Sequence, residues 1–336
     1  MGTAPTVRIL IVKTSSMGDV VHALPLAADI VRARSDATVD WLVEETFASI
    51  PAMSRYVANV HRVALRRWRR RPFDAAVWRE VRVAKNALRA ARYDLVLDVQ
   101  GLAKSAWISR WTGAPIVGFD SSSAREGIAA RFYQRSYGVP RHLHAVERCR
   151  QLGALALGYQ IADAPQFGID TGVQASPEEH GAGGAAAVLL VNASRATKLW
   201  GDARWLAVEQ WLTHRGIASV LFWGSADEQR YTEALASRMQ RATVAPRSTL
   251  DSIASTLAVA PLVIGLDTGL THLAAALGRP TVGIYCDYDP ALAGLVGDAS
   301  AGNEVASVGS ANEAPTEVEV IAAAERVLAA GANGRE

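Results

Sequence analysis

The stretch VRILIVKTSSMGDVVHALP, residues 7–25, sets the frame for the rest of the chain. Its first residues are aliphatic and β-branched, broken only by Arg8, which predicts a strand over 7–14. Two serines and a glycine follow. Apolar residues at helical spacing then predict a helix near 20–34. Gly18 lets the backbone approach closely. Asp19 falls at the helix N-terminus, at the carboxyl end of the strand. Two roles fit an acid there. It can cap the helix, where the dipole stabilises it. It can also serve chemistry, because α/β domains bind ligands outside the carboxyl ends of their strands.

The same unit recurs along the chain. Residues 37–44, 93–100 and 115–120 predict further strands, with helices near 75–91 and 102–111. Such alternation implies parallel strands joined by crossover helices. Residues 170–184, DTGVQASPEEHGAGG, are rich in Gly, Pro, Ser and Glu and read as a linker. The GAGGAA at 181–186 fits G-x-G-x-x-A by letter. It precedes a strand instead of following one, so it is no dinucleotide fingerprint. Beyond it, residues 185–192, 219–225, 242–246, 261–267 and 281–286 predict strands, and 202–215, 226–240, 249–260 and 269–278 helices. The expectation is an α/β domain over 1–169, a linker over 170–184 and a second α/β domain over 185–336. The last helix is free to pack back on the first domain. A substrate is expected in the cleft between two such domains.

Bulk properties narrow the function. The chain has 336 residues, half of them hydrophobic and a fifth charged, a globular composition. Cys149 and Cys286 form neither a disulfide framework nor a metal-ligand spacing, which points to a reducing compartment. No stretch reads as a signal peptide. The apolar run 252–266 is interrupted by Pro261 and is too short to span a bilayer. The start MGTAPT matches a myristoylation pattern by letter only. Residues 1–165 hold 24 Lys and Arg against 14 Asp and Glu, whereas the remainder holds 11 against 19. A first half at +10 beside a second half at −8 implies that the first faces something anionic.

Four further stretches carry polar residues in positions that invite chemistry. In LDTGLTHLAAALGRP, residues 266–280, a strand ends at Asp267 and a helix starts after Thr268 and Gly269. Free N–H groups there suit a phosphate, while Asp267 suits a sugar hydroxyl. His272 fits a packed role as well as a ligand contact. In NASRATKLWGDARW, residues 192–205, a strand-end loop holds Ser194, Arg195, Thr197 and Lys198, and Asp202 is placed to cap the next helix. A lysine there can neutralise a diphosphate, although loop lysines are commonly just solvated. CDYDP, residues 286–290, has the D-x-D spacing of some metal-dependent nucleotide-sugar enzymes. Its Asp289-Pro290 reads better as a turn, so no metal is expected. RRWRRRPF, residues 66–73, is the densest basic patch and fits a solvated loop or a surface drawn to anionic lipid. Nothing in it or after it forms a nucleic-acid motif.

Together, KTSSMGDVVHALP, DVQGLAKS, TKLWGDARW and GLDTGLTHLAAALGRPTVGIY resemble the lipopolysaccharide heptosyltransferases, over residues 7 to about 295. The first motif is closer to the type I than to the type II enzymes. The resemblance implies a GT-B fold, two facing Rossmann-like α/β domains with parallel sheets. It implies inverting transfer of L-glycero-D-manno-heptose from ADP-heptose to a Kdo sugar of Kdo-lipid A. ADP-heptose is then a donor substrate, and no obligatory cofactor is implied. Asp19 becomes the expected base. A helix N-terminus lowers its pKa, which burial can offset. Lys198 is expected on the donor phosphates, Asp267 on the heptose hydroxyls, Thr268 and Gly269 on phosphate and Glu228 on the ribose, with Ser194, Thr197 and His272 completing the donor set. Ser194 stands where the family often has Thr. Ser16, Gly18, Lys104, Arg66, Arg67, Arg69 and Arg70 are the expected acceptor side. The place implied is the cytoplasm, peripheral at the inner membrane's anionic cytoplasmic face, with no nucleic acid as partner. Two alternatives remain open: a transferase of the same fold adding a later heptose or using another nucleotide sugar, and a catalytically dead adaptor for anionic membranes. Should Asp19 not be the base, Asp98 in DVQG is the next acid to test.

Overall fold

The computed structural model of the chain describes residues 6–172, 186–311 and 313–333. The chain divides into two compact units, Met1–Ile169 and Asp170–Glu336. Most of the expected linker, residues 173–184, lies outside the described residues. The first unit runs β1 (Val7–Val12), α1 (Met17–Ala33), β2 (Ala37–Glu44), α2 (Ser49–Ala52), β3 (Asn59–Val63), α3 (Leu65–Arg70), α4 (Ala75–Ala90), β4 (Leu95–Asp98), α5 (Ala103–Ser109), β5 (Ile116–Phe119), β6 (Arg135–Tyr137) and α6 (Ala145–Leu157). The second runs β7 (Ala187–Leu190), α7 (Asp202–His214), β8 (Ser219–Leu221), α8 (Ala226–Ala236), β9 (Ala242–Val244), α9 (Leu250–Val259), β10 (Val263–Leu266), α10 (Gly269–Ala276), β11 (Thr281–Tyr285), α11 (Pro290–Ala293), β12 (Val305–Gly309) and α12 (Glu317–Asn333).

Each unit is built on one parallel sheet, in the orders β3-β2-β1-β4-β5-β6 and β12-β11-β10-β7-β8-β9. These are one and the same doubly wound order. In each, the chain winds outward from the first strand, returns, and winds the other way from the fourth. The order therefore reverses between β1 and β4 in the first unit and between β7 and β10 in the second. Loops leaving the carboxyl ends of those two strands diverge and open a crevice, the place where such sheets bind ligands.

Central strands are buried on both faces, which explains their continuous apolar runs. Leu10, Val12, Leu42 and Val96 pack with Val77 and Leu88 of α4. In the second unit Leu189, Ile264, Val282 and Ile284 pack with Trp205, Val208 and Leu212 of α7. Each such side chain contributes roughly 1.5–3 kcal/mol on full burial. The α1 helix is buried from Val20 to Ile30 and is tied to α6 by a buried pair, Arg150 Nε to Asp29 Oδ2 at 2.7 Å and Nη2 to Oδ1 at 3.0 Å. The closing helix α12 buries Val320, Ala323, Ala324 and Val327 in the core of the second unit, against α7 and β11.

Three strands had no signal in the sequence: β3 (NVHRV), β6 (RSY) and β12 (VASVG). All three are sheet edges, where one flank faces away from the core and the apolar run is not needed. Three local expectations are corrected. The α1 helix starts at Met17, earlier than expected, because Ser16 is the extended N-cap residue. Asp202 is the first helical residue after the N-cap Gly201, not the cap; its carboxylate accepts from Tyr231 and Arg238 instead, at 3.1 and 2.8 Å. RRWRRRPF is only in part a loop: Leu65–Arg70 is helical and Trp68 anchors it in the core, while Arg71–Phe73 form the turn that follows.

Candidate active site

At the first reversal point, the loops after β1 and β4 are stitched together by one side chain. Gln100 Oε1 accepts from the backbone N–H of Thr14 at 2.9 Å and of Ser15 at 3.1 Å. Lys13, nearly buried at the end of β1, donates from Nζ to the Val99 carbonyl at 3.1 Å. The same ammonium lies 3.7 Å from Asp19 Oδ1. Asp19 is the third residue of α1, and its Oδ2 accepts from the Ser16 backbone N–H at 2.9 Å and the Ser16 hydroxyl at 2.8 Å. That back-bond is one half of a capping box. One carboxylate oxygen is thus committed to the helix start while the other points to the buried ammonium.

These surroundings decide the charge of Asp19. Burial pushes its carboxyl up, but the Lys13 ammonium, the two bonds from Ser16 and the charge of Arg125 outweigh burial and hold it below the ordinary carboxylate range. The neighbouring Asp98, at the end of β4, is driven the other way. Complete burial pushes it up to about 6, although it accepts from Ser105, Tyr133 and the backbone of Gln100 and Gly101. Asp98 shapes the turn after β4 and is closed to solvent, so it does not stand ready as the alternative base.

Ser15, Ser16, Asp19, Gln100, Leu102, Lys104, Arg125 and Glu126 line a cleft of ≈ 410 Å³. Only Leu102 is apolar. Gly101 makes the cleft possible. Its φ of +66° turns the chain after β4, and a Cβ there would stand 3.2 Å from the Arg125 backbone nitrogen. The crevice suits a hydroxylated, anionic molecule, with Lys104 and Arg125 for charge and Asp19 for a proton.

The second reversal point repeats the pattern. Lys198 follows β7 and Asp267 follows β10. Lys198 Nζ bonds Asp267 Oδ2 and donates to the Asp267 carbonyl at 2.9 Å. His272, buried in α10, lies 3.2 Å from Asp267 Oδ1 through Nε2. Burial raises the Asp267 carboxyl, but His272 and Lys198 together bring it below the ordinary range. Thr268 is the extended N-cap residue of α10 and Gly269 its first residue. Thr268 Oγ1 lies 3.2 Å from Thr271 Oγ1, which donates to the Leu266 carbonyl at 2.6 Å. The first N–H groups of α10 have no side-chain cap, a natural place for phosphate oxygens.

The model of glycosyltransferase family 9 (heptosyltransferase) matches residues 81–320, more than half of the chain. The chain belongs to glycosyltransferase family 9. It is 42% identical over 292 residues to lipopolysaccharide heptosyltransferase 1 of Pseudomonas aeruginosa, covering 86% of this chain and 81% of that protein. It is similar in structure to the E. coli heptosyltransferase WaaC with ADP, with TM-score 0.85 and 37% identity over 95% of this chain and 99% of the other. WaaC with ADP-2-deoxy-2-fluoro heptose gives TM-score 0.81 at 36% identity, with the same coverage. The fold of this family 9 chain is of the GT-B type.

Within the family 9 chain, the expected residues divide into groups. Ser16, Asp19 and Lys104 line the first cleft, and Gly18 lies in the first turn beside Asp19. Arg66, Arg67, Arg69 and Arg70 sit on α3 and do not line it. Arg67 is held by Glu45 and Glu80 at 3.0 Å each. In the second unit Lys198 and His272 meet at Asp267, which Thr268 and Gly269 follow at the start of α10. Ser194 is exposed in the same loop as Lys198. Thr197 is turned to Asp287, which also pairs with Arg195 at 3.3 Å. Glu228 closes a capping box on α8, accepting from Gly224 and Ser225 backbone N–H groups at 2.7 and 3.0 Å. In CDYDP, Asp289 N-caps α11 with Pro290 at its first position, while Asp287 braces the 195–197 loop.

Sequence reasoning missed Lys13, Gln100, Arg125 and Glu126. Lys13 could have been found as the one cation ending an otherwise apolar buried strand. Arg125 and Glu126 lie in a loop after β5 with no motif around them. The Glu126 N–H donates to the Gly101 carbonyl at 2.9 Å, which ties that loop to the turn after β4.

Proposed function

We propose that this chain is a heptosyltransferase of the lipopolysaccharide inner core, moving L-glycero-D-manno-heptose from ADP-heptose to a Kdo sugar of Kdo-lipid A with inversion. The observation that carries the proposal is a polar cluster at the reversal point of each unit in a family 9 chain 42% identical to a lipopolysaccharide heptosyltransferase 1. Asp19 serves as the base. The acceptor hydroxyl attacks the anomeric carbon, the C–O bond to phosphate breaks, ADP leaves, and Asp19 takes the hydroxyl proton. A carboxylate held low stays ionised at working pH. It accepts the proton as the new bond forms and the attacking oxygen becomes acidic.

Lys198 and the α10 N-terminus, with Thr268 and Gly269, meet the charge growing on the leaving diphosphate. Asp267, oriented by His272, takes the heptose hydroxyls. Glu228 takes the ribose, and Ser194 and Thr197 complete the donor set. On the acceptor side, Ser16 and Gly18 shape the start of α1, and Lys104 faces the acid groups of the acceptor. Arg66, Arg67, Arg69 and Arg70 serve the acceptor's phosphorylated, membrane-borne part. The charge on the diphosphate is met by these side chains and N–H groups, so no obligatory metal is part of the proposal. No helix among the described residues is long and apolar enough to cross a membrane. The proposed place is the cytoplasmic face of the inner membrane, bound peripherally.

The test is ADP release from ADP-heptose with and without Kdo-lipid A. Release that rises steeply on adding the acceptor is expected, in the presence of a chelator as well. Release indifferent to the acceptor would remove the assignment.

A further inference from the structure

The α4 helix has two unlike faces. Val77, Val81, Ala84 and Leu88 pack into the core. On an exposed flank, about 100° round the helix from that core face, Trp78, Arg82, Lys85 and Arg89 follow one another at i, i+4, i+7 and i+11, which places them in one stripe about 16 Å long. Their outward position agrees with the exposed state of all four. The three cations have no side-chain hydrogen bond or ion pair among the described residues. The only acid of α4, Glu80, lies on the side of the helix away from the stripe and is turned to α3, accepting from Arg67 and from Trp68 Nε1 at 3.0 and 2.8 Å. The outer face therefore carries positive charge with no acid to offset it.

The stripe ends at an aromatic tip. Phe73, in the turn before α4, is 97% exposed, and Trp78 is 58% exposed. The Trp78 indole N–H donates to the Pro72 carbonyl at 2.8 Å, which fixes its ring beside the turn. A bare phenyl ring in water is unfavourable by the area it exposes. Cations in a line with aromatic side chains at one end match an interface where charge lies on one level and apolar depth below it.

We propose that the outer face of α4, with the α3–α4 turn, is a docking surface for an anionic lipid bilayer. Arg82, Lys85 and Arg89 lie on the headgroups, and Phe73 and Trp78 enter the boundary with the acyl chains. A duplex nucleic acid would satisfy the cations but leave the Phe73 ring in water, so the bilayer is the better match. The inference deepens the membrane-borne acceptor of the proposed function and rests on it.

The experiment uses the full chain with vesicles of phosphatidylglycerol mixed with phosphatidylcholine, and of phosphatidylcholine alone. Binding is read by sedimentation across a salt series. R82Q/K85Q/R89Q should lower partitioning onto the anionic vesicles on the order of a hundredfold at low salt, about fivefold per cation. Phe73→Ser should keep most low-salt binding and lose the part that survives high salt. Triple-variant partitioning equal to the parent's, or parent binding as strong to the neutral vesicles, would overturn the proposal. So would a duplex oligonucleotide that binds as tightly as the anionic vesicles. ADP release with detergent-dispersed acceptor keeps the two claims apart, because the triple variant should match the parent there. A parent that shows no acceptor-dependent release fails as a transferase, whatever the vesicles show.

Discussion

Asp19, in the first turn of α1 after β1, and Asp98, at the end of β4, stand at the first reversal point, and their surroundings push them in opposite directions. Asp19 keeps its charge because Lys13 and Ser16 outweigh burial. Asp98 has no cation beside it and rises from an ordinary 3.8 to about 6. The raised value has a sign for stability. Between those pH values the folded chain holds a proton that the unfolded chain has lost. The contribution of Asp98 is therefore fully present below pH 3.8 and is lost as the pH rises through about 6. Asp98→Asn should flatten this limb, seen as urea midpoints that change less between about pH 4 and 7 than the parent's. Lys198 gives a second prediction. Its ammonium is already bonded to Asp267, so a diphosphate must share it. Lys198→Ala should still weaken ADP binding by about 1.5–3 kcal/mol in calorimetry. An unchanged affinity would make it a solvated loop lysine.

At the scale of elements, the chemistry depends on how closely β10 and α10 approach their neighbours. A Cβ on Gly265 would stand 2.5 Å from Thr271 Oγ1 and 2.8 Å from Leu190 Cβ. Thr271 holds the Leu266 carbonyl, so it cannot move without shifting the start of α10. Gly265→Ala should destabilise by about 1–3 kcal/mol and weaken ADP binding as well, read from a melting curve and a titration. Elements also show what could be read in advance. The central strands and their helices were legible because burial on both faces demands continuous apolar runs. The Asp19, Lys198 and Asp267 junctions were legible as places because each lies between an apolar strand run and the helix that follows it. The edge strands β3, β6 and β12 were not, since an edge makes no such demand. Gln100, Arg125 and Glu126 were not either. Their place depends on the reversal of strand order and on one left-handed glycine, and neither leaves a local pattern. The D-x-D at 287–289 shows the converse: Asp289-Pro290 reads as a turn and in the structure caps a one-turn helix, while the role of Asp287 lies in a loop some 90 residues away in sequence.

At the scale of the whole molecule, one doubly wound sheet is used twice with opposite electrostatics. The +10 half carries the cleft with Asp19, Lys104 and Arg125, and the −8 half carries Lys198 among acids. Within the proposed function, the first unit takes an anionic acceptor and the second places Lys198 where phosphate leaves. The base is the hinge of this account, and Asp19→Asn tests it without removing the cap, because Asn accepts the Ser16 N–H as Asp does. The measurement is steady-state ADP release at saturating ADP-heptose and Kdo-lipid A, with a melting curve and ADP affinity taken alongside. The account predicts kcat lower by roughly 10²–10⁴-fold, with melting and ADP affinity close to the parent's. A well-folded Asp19→Asn that loses less than about tenfold, below the low end of general-base catalysis, would contradict it.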